Sequence, residues 1–295
     1  MRFLKRVVLA LVLFLLLGGG VLYALASRRL AKPYELIRRG GELPTDSASI
    51  ARGEHLATAI GKCAECHGDG LGGKVMVDDP MFGRFVAPNL TRGVGGVGSS
   101  RSDADLATAL RHGVGVDGKT LVFMPSEEYS RFTEADLRDL LAYVRSLPPI
   151  DRTLPGRRLG PISVGLLGAK KLPLPAEAID HGRVPDDSIV PEPTVRYGEY
   201  LANVGGCTGC HNPALSGGEI VGAPPGTPIA ANLTPGGRQW SHEEFRTALR
   251  DGMRPGGVTM HPFMPVRFTK LMTDQEIEAV WRYVTSVPAR KLGER

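Results

Sequence analysis

One short pattern occurs twice in this chain and contains all of its cysteines. The pattern is CAECH at residues 63–67 and CTGCH at residues 207–211, in a chain of 295 residues that has four cysteines. The cysteines of each pair are three positions apart, so that both thiols fit on one face of a helical turn, and a histidine follows directly. The fold must therefore bring two thiols and an imidazole together at two separate places.

The two pentapeptides are part of a longer internal repeat. Six segments recur in the same order in both halves of the chain, which indicates a duplicated domain. The pairs are 52–67 with 197–211, 71–77 with 215–222, 87–91 with 230–234, 102–114 with 241–253, 123–125 with 263–265, and 136–148 with 276–288. The sequence predicts a first domain at residues 45–150 and a second at 192–290, joined by a proline-rich linker at 151–191.

The local signals within each repeat are helical. Four Ser or Thr residues are each followed three positions later by Asp or Glu, a pattern typical of helix capping boxes. These pairs are Ser102 with Asp105, Thr133 with Asp136, Ser241 with Glu244, and Thr273 with Glu276. No alternating run is long enough to predict a strand. We therefore predict an all-α fold with long loops, and a short helix near residues 162–171 of the linker.

An uncharged apolar segment extends from Val7 to Ala26. As a helix, this segment would span about 30 Å, the thickness of the hydrocarbon core of a bilayer. Residues 1–30 are predicted to form one transmembrane anchor; the alternative is a signal peptide cleaved after Ala24-Leu25-Ala26. Either alternative exports the rest of the chain, and a retained anchor makes it a single-pass membrane protein whose domains lie outside the cytoplasm. The chain has a net charge of +5 with basic residues clustered near this segment, which indicates a membrane surface and not nucleic acid.

The composition suggests that a cofactor completes each domain. About 100 residues with short helices and many glycines would bury little apolar area. Cys-x-x-Cys alone is compatible with zinc, a redox pair, a structural disulfide or haem, but the adjoining His favours covalent haem c. Each cluster offers three ligands where zinc takes four, and a disulfide remains possible in an exported protein. The sequence predicts two covalently bound haem c groups, held by Cys63, Cys66 and His67, and by Cys207, Cys210 and His211.

The repeated Phe-Met-Pro segment offers a second axial ligand for each iron. Met124 and Met264 lie at the same place in the two copies, just before the last helix. Proline stiffens the loop after each methionine. Met260 and His261 are nearby rivals in the second copy. A thioether at the sixth position raises the reduction potential relative to two histidines and indicates electron transfer rather than chemistry on a substrate.

Other repeated positions have weaker assignments. Asn89 and Asn232, each in an Asn-Leu-Thr segment, are predicted to hydrogen-bond the propionate edge of the haem. Arg111 and Arg250 are candidates for offsetting the propionate charge, although a solvated helix face explains them nearly as well.

Taken in order, these motifs resemble class I cytochrome c domains, most of all those of membrane-bound cytochrome c subunits of bacterial periplasmic alcohol and sugar-acid dehydrogenases. The likeness covers both repeats and implies three-helix haem c cores with His and Met as axial ligands. It therefore implies these roles for Cys63, Cys66, His67 and Met124, and for the equivalent residues of the second copy. Those subunits often carry three haem domains, whereas this chain has two.

The resulting functional hypothesis is a dihaem electron relay that is not itself an enzyme. The resemblance implies a single-pass protein of the bacterial inner membrane whose haem domains face the periplasm. Its expected partners are the membrane, through the N-terminal helix, and redox proteins: a dehydrogenase or quinol donor, and an oxidase or soluble cytochromes as acceptors. No nucleic acid and no small-molecule substrate of its own are expected. The alternatives are a dihaem cytochrome c peroxidase-like enzyme, which needs an exchangeable iron site and acid–base residues, and the cytochrome subunit of a haem–copper oxidase.

Overall fold

The computed structural model describes residues 1–220, 223, 226–237 and 240–295. The repeated segment 215–222 therefore ends on two residues, Val221 and Gly222, that lie outside the described residues. The described chain is rich in helix and includes five short strands.

The helices and strands follow the duplication seen in the sequence. The N-terminal helix and the first copy contain α1 (Arg2–Ala31), α2 (Ser47–His55), α3 (Cys63–His67), β1 (Lys74–Asp79), β2 (Gly83–Ala87), α4 (Asp103–His112), α5 (Ser126–Tyr129) and α6 (Glu134–Ser146). The linker contains β3 (Arg158–Leu159), α7 (Pro161–Gly168) and α8 (Pro175–Ala178). The second copy contains α9 (Val195–Val204), α10 (Cys207–Cys210), α11 (His242–Asp251), β4 (Met253–Arg254), β5 (Val258–Thr259), α12 (Val266–Thr269) and α13 (Asp274–Ser286).

The all-α prediction is wrong in one respect, because the fold includes strands. β1 and β2 form an antiparallel hairpin, and β3 of the linker pairs with β2 in the order β1-β2-β3. Along β2, buried residues alternate with partly buried ones, and Phe85 and Ala87 are buried. A separate ribbon, β4-β5, follows α11. The short helix expected near 162–171 is present as α7.

The predicted caps form because they depend on residues close in sequence. Complete capping boxes begin α4, α11 and α13. At the start of α6, Thr133 accepts a hydrogen bond from the N–H of Asp136, but the Asp136 carboxylate instead accepts from Arg52 and Tyr200. The fourth predicted box is therefore half formed, since its carboxylate is used in contacts elsewhere.

In each copy the first and last helices cross at a glycine. A Cβ added to Gly53 of α2 would lie 1.9 Å from the carbonyl oxygen of Asp139 in α6. A Cβ added to Gly198 of α9 would lie 1.9 Å from the carbonyl oxygen of Ala279 in α13. The two crossings are equivalent, so each copy has the same helical frame around its Cys-x-x-Cys-His segment.

The segment between the crossing glycine and the first cysteine is one residue longer in the first copy, and a π-helical turn accounts for this difference. Leu56–Ile60 form a π-helical turn directly after α2. Such a turn accommodates one extra residue within a helix, so that both cysteine pairs begin at equivalent places.

One continuous core joins the two copies. It includes Leu56 and Phe132 from the first copy and Leu201 and Ile277 from the second, all of them fully buried. The cysteine pairs are therefore arranged around a shared hydrophobic centre.

The N-terminal helix is apolar over most of its length and docked at its end. It is long and apolar enough to cross a membrane, and its apolar window is exposed. Ala26, near the end of this window, is 1 % exposed and packs with Leu167 and Leu174. Arg29 ion-pairs with Glu177 of α8 at 2.5 Å. The last turns of α1 thus belong to the folded body.

Candidate functional site

A short helix presents each pair of thiols. The residue before each helix has a left-handed backbone: Lys62 with φ 50° and Gly206 with φ 72°. This conformation turns the chain sharply into the motif. All four cysteines are free and half-buried, so each half-buried turn carries an unpaired Cys-x-x-Cys dithiol.

Burial keeps these thiols protonated. It raises the pKa of Cys63 to about 12, and it also raises the pKa of Cys66, Cys207 and Cys210. Catalytic dithiols and zinc ligands depend on the thiolate, which a lowered pKa favours. Within the described residues, no group of three or more His, Cys, Asp or Glu side chains is arranged to hold an ion. The thiols are therefore suited to covalent attachment of an apolar group rather than to redox catalysis or to zinc binding.

Both motif histidines are held by a backbone carbonyl. His67 Nδ1 donates to the oxygen of Pro88 at 2.8 Å, and His211 Nδ1 donates to the oxygen of Ala231 at 2.7 Å. A hydrogen bond of this kind fixes the tautomer and the ring orientation of a metal-binding histidine. Burial lowers the pKa of both imidazoles, so that they are neutral at neutral pH. Nε2 of each ring then carries a free lone pair for a metal.

The two repeated methionines occupy equivalent turns. Met124 and Met264 are partly buried and pack against the shared core, as do Cys63 and Cys207. In each copy the carbonyl of the methionine accepts from the N–H two residues later at 2.8 Å. The rival His261 is exposed, and its Nδ1 accepts from the N–H of Phe263. The structure thus favours Met264 over His261 as the buried donor.

Asn89 and Asn232 act as equivalent links within the chain. The Asn89 amide donates to the carbonyl of Ile150 at 2.6 Å and accepts from both the N–H and the hydroxyl of Thr91. Asn232 makes the same contacts with Arg290 and Thr234. These bonds tie the loop after each motif to the segment after the last helix; contact with a propionate stays a prediction.

The repeated arginines are also engaged within the protein. Arg111 donates to the carbonyl of Phe132 and pairs with Glu134, while Arg250 donates to the carbonyl of Lys270 and pairs with Asp274. Each thus joins the middle helix to the start of the last one.

Sequence reasoning missed the contacts that reach from one copy to the motif of the other. Arg267 of α12 ion-pairs with Glu65 of the first motif at 2.6 Å, and Lys62 donates to the carbonyl of Gly205. The carboxylate of Glu128 lies against Gly206 and Gly209 of the second motif. The one sequence feature that could have indicated these contacts is the pair of glycines in the second motif, at the positions where the first copy has Lys62 and Glu65.

The donor sets fit haem c at both places. Each has two protonated thiols on one helical turn, a neutral imidazole fixed by a carbonyl, and a methionine loop on the same apolar core. Cys63, Cys66, His67 and Met124 would hold one group. Cys207, Cys210, His211 and Met264 would hold the other.

Comparison with known proteins agrees with this chemistry. The family model "Cytochrome C oxidase, cbb3-type, subunit III" matches residues 48–144 and again residues 193–284. A diheme cytochrome c-type protein of Cereibacter sphaeroides is 30% identical over 278 residues, covering 82% of this chain and 87% of that protein.

Two further relatives are subunits of dehydrogenases. The fructose dehydrogenase cytochrome subunit of Gluconobacter japonicus is 28% identical over 271 residues, covering 82% of this chain and 53% of the relative. The cytochrome c subunit of alcohol dehydrogenase (quinone) from Gluconacetobacter polyoxogenes is 26% identical over 274 residues, covering 82% of this chain and 57% of the relative. The chain thus spans about half the length of these two relatives.

The family matches extend over more than half of the chain, once in each copy, and each contains a complete Cys-x-x-Cys-His motif. The chain therefore belongs to the cytochrome c family described as cbb3-type oxidase subunit III and carries two covalently bound haem c groups.

Proposed function

We propose that this protein is a dihaem cytochrome c that relays electrons at the periplasmic face of the bacterial inner membrane. The observation that carries the proposal is the duplicated donor set, in which a carbonyl-fixed neutral histidine follows two protonated thiols. The haem domains are residues 45–150 and 192–290, with the linker at 151–191.

The histidines of the two motifs and the two repeated methionines each have a defined role in this relay. A bound haem c supplies a one-electron iron couple. His67 and His211 would bind the iron through Nε2, with the ring held by Pro88 or Ala231. Met124 and Met264 would supply a second protein ligand to each iron and so exclude oxygen or peroxide from it. With iron held in this way, the chain would transfer electrons and have no substrate of its own.

The packing of α1 supports a retained anchor over a cleaved signal peptide. Cleavage after Ala26 would remove that residue from the apolar cluster that it forms with Leu167 and Leu174. Arg29 would remain, but the helix that positions it against Glu177 would be lost. The anchor places both domains at the outer face of the inner membrane.

The redox partner is proposed from the comparisons. The dehydrogenase subunits among the relatives support a dehydrogenase as electron donor. The description of the matching family supports, as a second candidate, a cytochrome subunit of a cbb3-type oxidase. Purification from detergent-solubilised membranes, followed by mass spectrometry of the proteins that accompany the chain, distinguishes the two.

The ligand assignment is tested on the purified holoprotein. Haem content per chain should be two, and both groups should remain attached after denaturation. Met124→Ala and Met264→Ala should each remove about half of the methionine–iron charge-transfer absorbance, whereas Met260→Ala should leave it unchanged. Fewer than two attached haems, or unchanged spectra in both alanine variants, would contradict the proposal.

A further inference from the structure

The two motif turns face each other across the interface between the copies. The short helix after each Phe-Met-Pro segment contacts the motif of the other copy: α12 reaches α3 through Arg267, and α5 reaches α10 through Glu128. Each haem attachment turn is therefore next to charged groups that the opposite copy supplies.

The charges at the two turns differ although the backbones are equivalent. The first turn has Lys62 before it and Glu65 within it, and Glu65 is neutralised by Arg267. The second turn has glycines at both equivalent places, Gly206 and Gly209. A Cβ at Gly206 would lie 2.4 Å from Glu128 Oε2, and one at Gly209 would lie 2.5 Å from Glu128 Oε1. Glu128 thus occupies the space that the two glycines leave.

Glu128 also has no acidic equivalent in the second copy. The matching position holds Phe268, which is 7% exposed and packs as an apolar side chain. The neighbouring pair, Glu127 and Arg267, is reversed in charge between the copies. The second motif therefore faces a carboxylate, whereas the first faces a guanidinium.

Few other charges act on this carboxylate. The charged neighbours of Glu128 are Lys62, whose ammonium donates to the carbonyls of Ile60 and Gly205, and Glu127, which lies on α5 with Glu128. The titratable groups of α10 are Cys207 and Cys210. α4, α8 and α9 also pack near α5, but within the described part of the chain they supply no further charge that affects Glu128. The charge of Lys62 acts on Cys63 and equally on Cys207 and Cys210, so it does not distinguish the two sites.

We propose that Glu128 lowers the reduction potential of the haem held by Cys207 and Cys210 below that of the haem held by Cys63 and Cys66. A nearby negative charge stabilises the oxidised, more positive iron, and a positive surrounding stabilises the reduced one. Electrons that enter at the second haem then move across the interface to the first. This inference rests on the proposed pair of haems.

The environment of Glu128 adds a pH dependence. Burial raises the pKa of Glu128 to about 7; Lys62 lowers it and Glu127 raises it further. The carboxylate is therefore more protonated at pH 6 than at pH 8. The potential of the second haem falls as the pH rises through this range.

The test is a spectroelectrochemical titration of the purified full chain at pH 6, 7 and 8. Glu128→Gln should raise the reduction potential of one haem by at least about 59 mV, which is a tenfold change in its one-electron redox equilibrium. The same substitution should remove most of the pH dependence of that potential. Glu127→Gln, one residue away and exposed, is the matched control and should shift neither haem comparably. Met264→His, which changes the second iron's ligand, identifies the wave that belongs to the second haem.

The possible results separate this inference from the proposed function. Two attached haems with unchanged potentials in Glu128→Gln would overturn the inference alone, as would a shift confined to the first haem. Fewer than two haems in the unaltered protein would overturn the proposed function. Haem content and circular dichroism of each variant establish that it is folded, and Glu128→Asp, which keeps the charge, should retain a lower potential than Glu128→Gln.

Discussion

At single positions, the buried Asn-Leu-Thr segments show how one side chain holds distant parts of the backbone together. Asn89 is 0% exposed. Its amide accepts a hydrogen bond from the hydroxyl of Thr91 and donates one to the carbonyl of Ile150, about 60 residues further along the chain. A buried polar group left without its partners costs more than the hydrogen bond itself contributes. Asn89 therefore stabilises the loop that also provides the carbonyl for His67.

Asn89→Ala is expected to lower the free energy of unfolding by about 2 kcal/mol, because the buried N–H of Thr91 loses its acceptor and the carbonyl of Ile150 keeps only the longer bond from the Thr91 hydroxyl. Urea denaturation followed by circular dichroism measures this. Asn203→Ala, which removes an exposed bond to the carbonyl of Glu199, should change the stability by less than about 0.5 kcal/mol. Unchanged stability together with a shifted haem potential would show instead that Asn89 acts on a propionate.

Among the helices, the crossing glycines determine how closely the first and last helices of each copy approach. Gly53→Ala improves helix propensity by about 1 kcal/mol, but the added methyl group would overlap the carbonyl of Asp139. We expect a net loss of about 3 kcal/mol, since backbone atoms cannot rotate away. Thermal unfolding of Gly53→Ala against Gly165→Ala, whose added Cβ meets no atom within 4 Å, checks this. A Gly53→Ala protein as stable as Gly165→Ala would refute the close crossing.

The interface between the copies depends on a buried carboxylate. Glu276 at the start of α13 is 3% exposed and accepts from His55 at 2.8 Å and from the N–H of Thr273 at 2.8 Å. Burial alone would raise the pKa of Glu276, but these hydrogen bonds and the charges of His55 and Arg52 outweigh it and hold the pKa below the ordinary 4.5. Because the pKa is lower in the folded state, this stabilisation is present above about pH 4.5 and is lost as the pH falls through the folded value.

Glu276→Gln is therefore expected to cost about 3 kcal/mol at pH 7 and to make the stability less dependent on pH below 4.5. Urea unfolding at pH 3.5 to 7 measures both effects. The control is Glu243→Gln, which breaks an exposed pair with Arg246 and should cost less than about 1 kcal/mol. If the two variants lost the same stability, the interface contact would be worth no more than a surface pair.

How far these elements could be predicted depends on how local their causes are. The caps at Ser102, Ser241 and Thr273 form as predicted because each joins residues three positions apart. β2 was missed although its first partner, β1, is close in sequence, because its run is only five residues long and its second partner, β3, comes from the linker more than 70 residues later. The motifs themselves were evident from the sequence. The placement of Glu128 against the other motif was not, because it results from packing between the copies.

For the whole molecule, the shared core makes the two copies one cooperative unit. Arg52 contacts Asp136 of its own copy and Glu276 of the other, and Tyr200 of the second copy donates to Asp136 of the first. Separation of the copies would expose apolar side chains and break these contacts together. Residues that stabilise one copy therefore also stabilise the other.

This coupling has a direct optical test, because both tryptophans, Trp240 and Trp281, lie in the second copy. Asn89→Ala weakens only first-copy contacts, yet it should lower the urea midpoint of tryptophan fluorescence by the same amount as the midpoint of circular dichroism. Asn232→Ala, the equivalent change in the second copy, should give the same coincidence. If fluorescence in Asn89→Ala kept the midpoint of the unaltered protein while circular dichroism shifted, the copies would unfold independently. Coincident midpoints would mean that the two motif turns keep one relative arrangement as long as the protein is folded, which a fixed route between two haems requires.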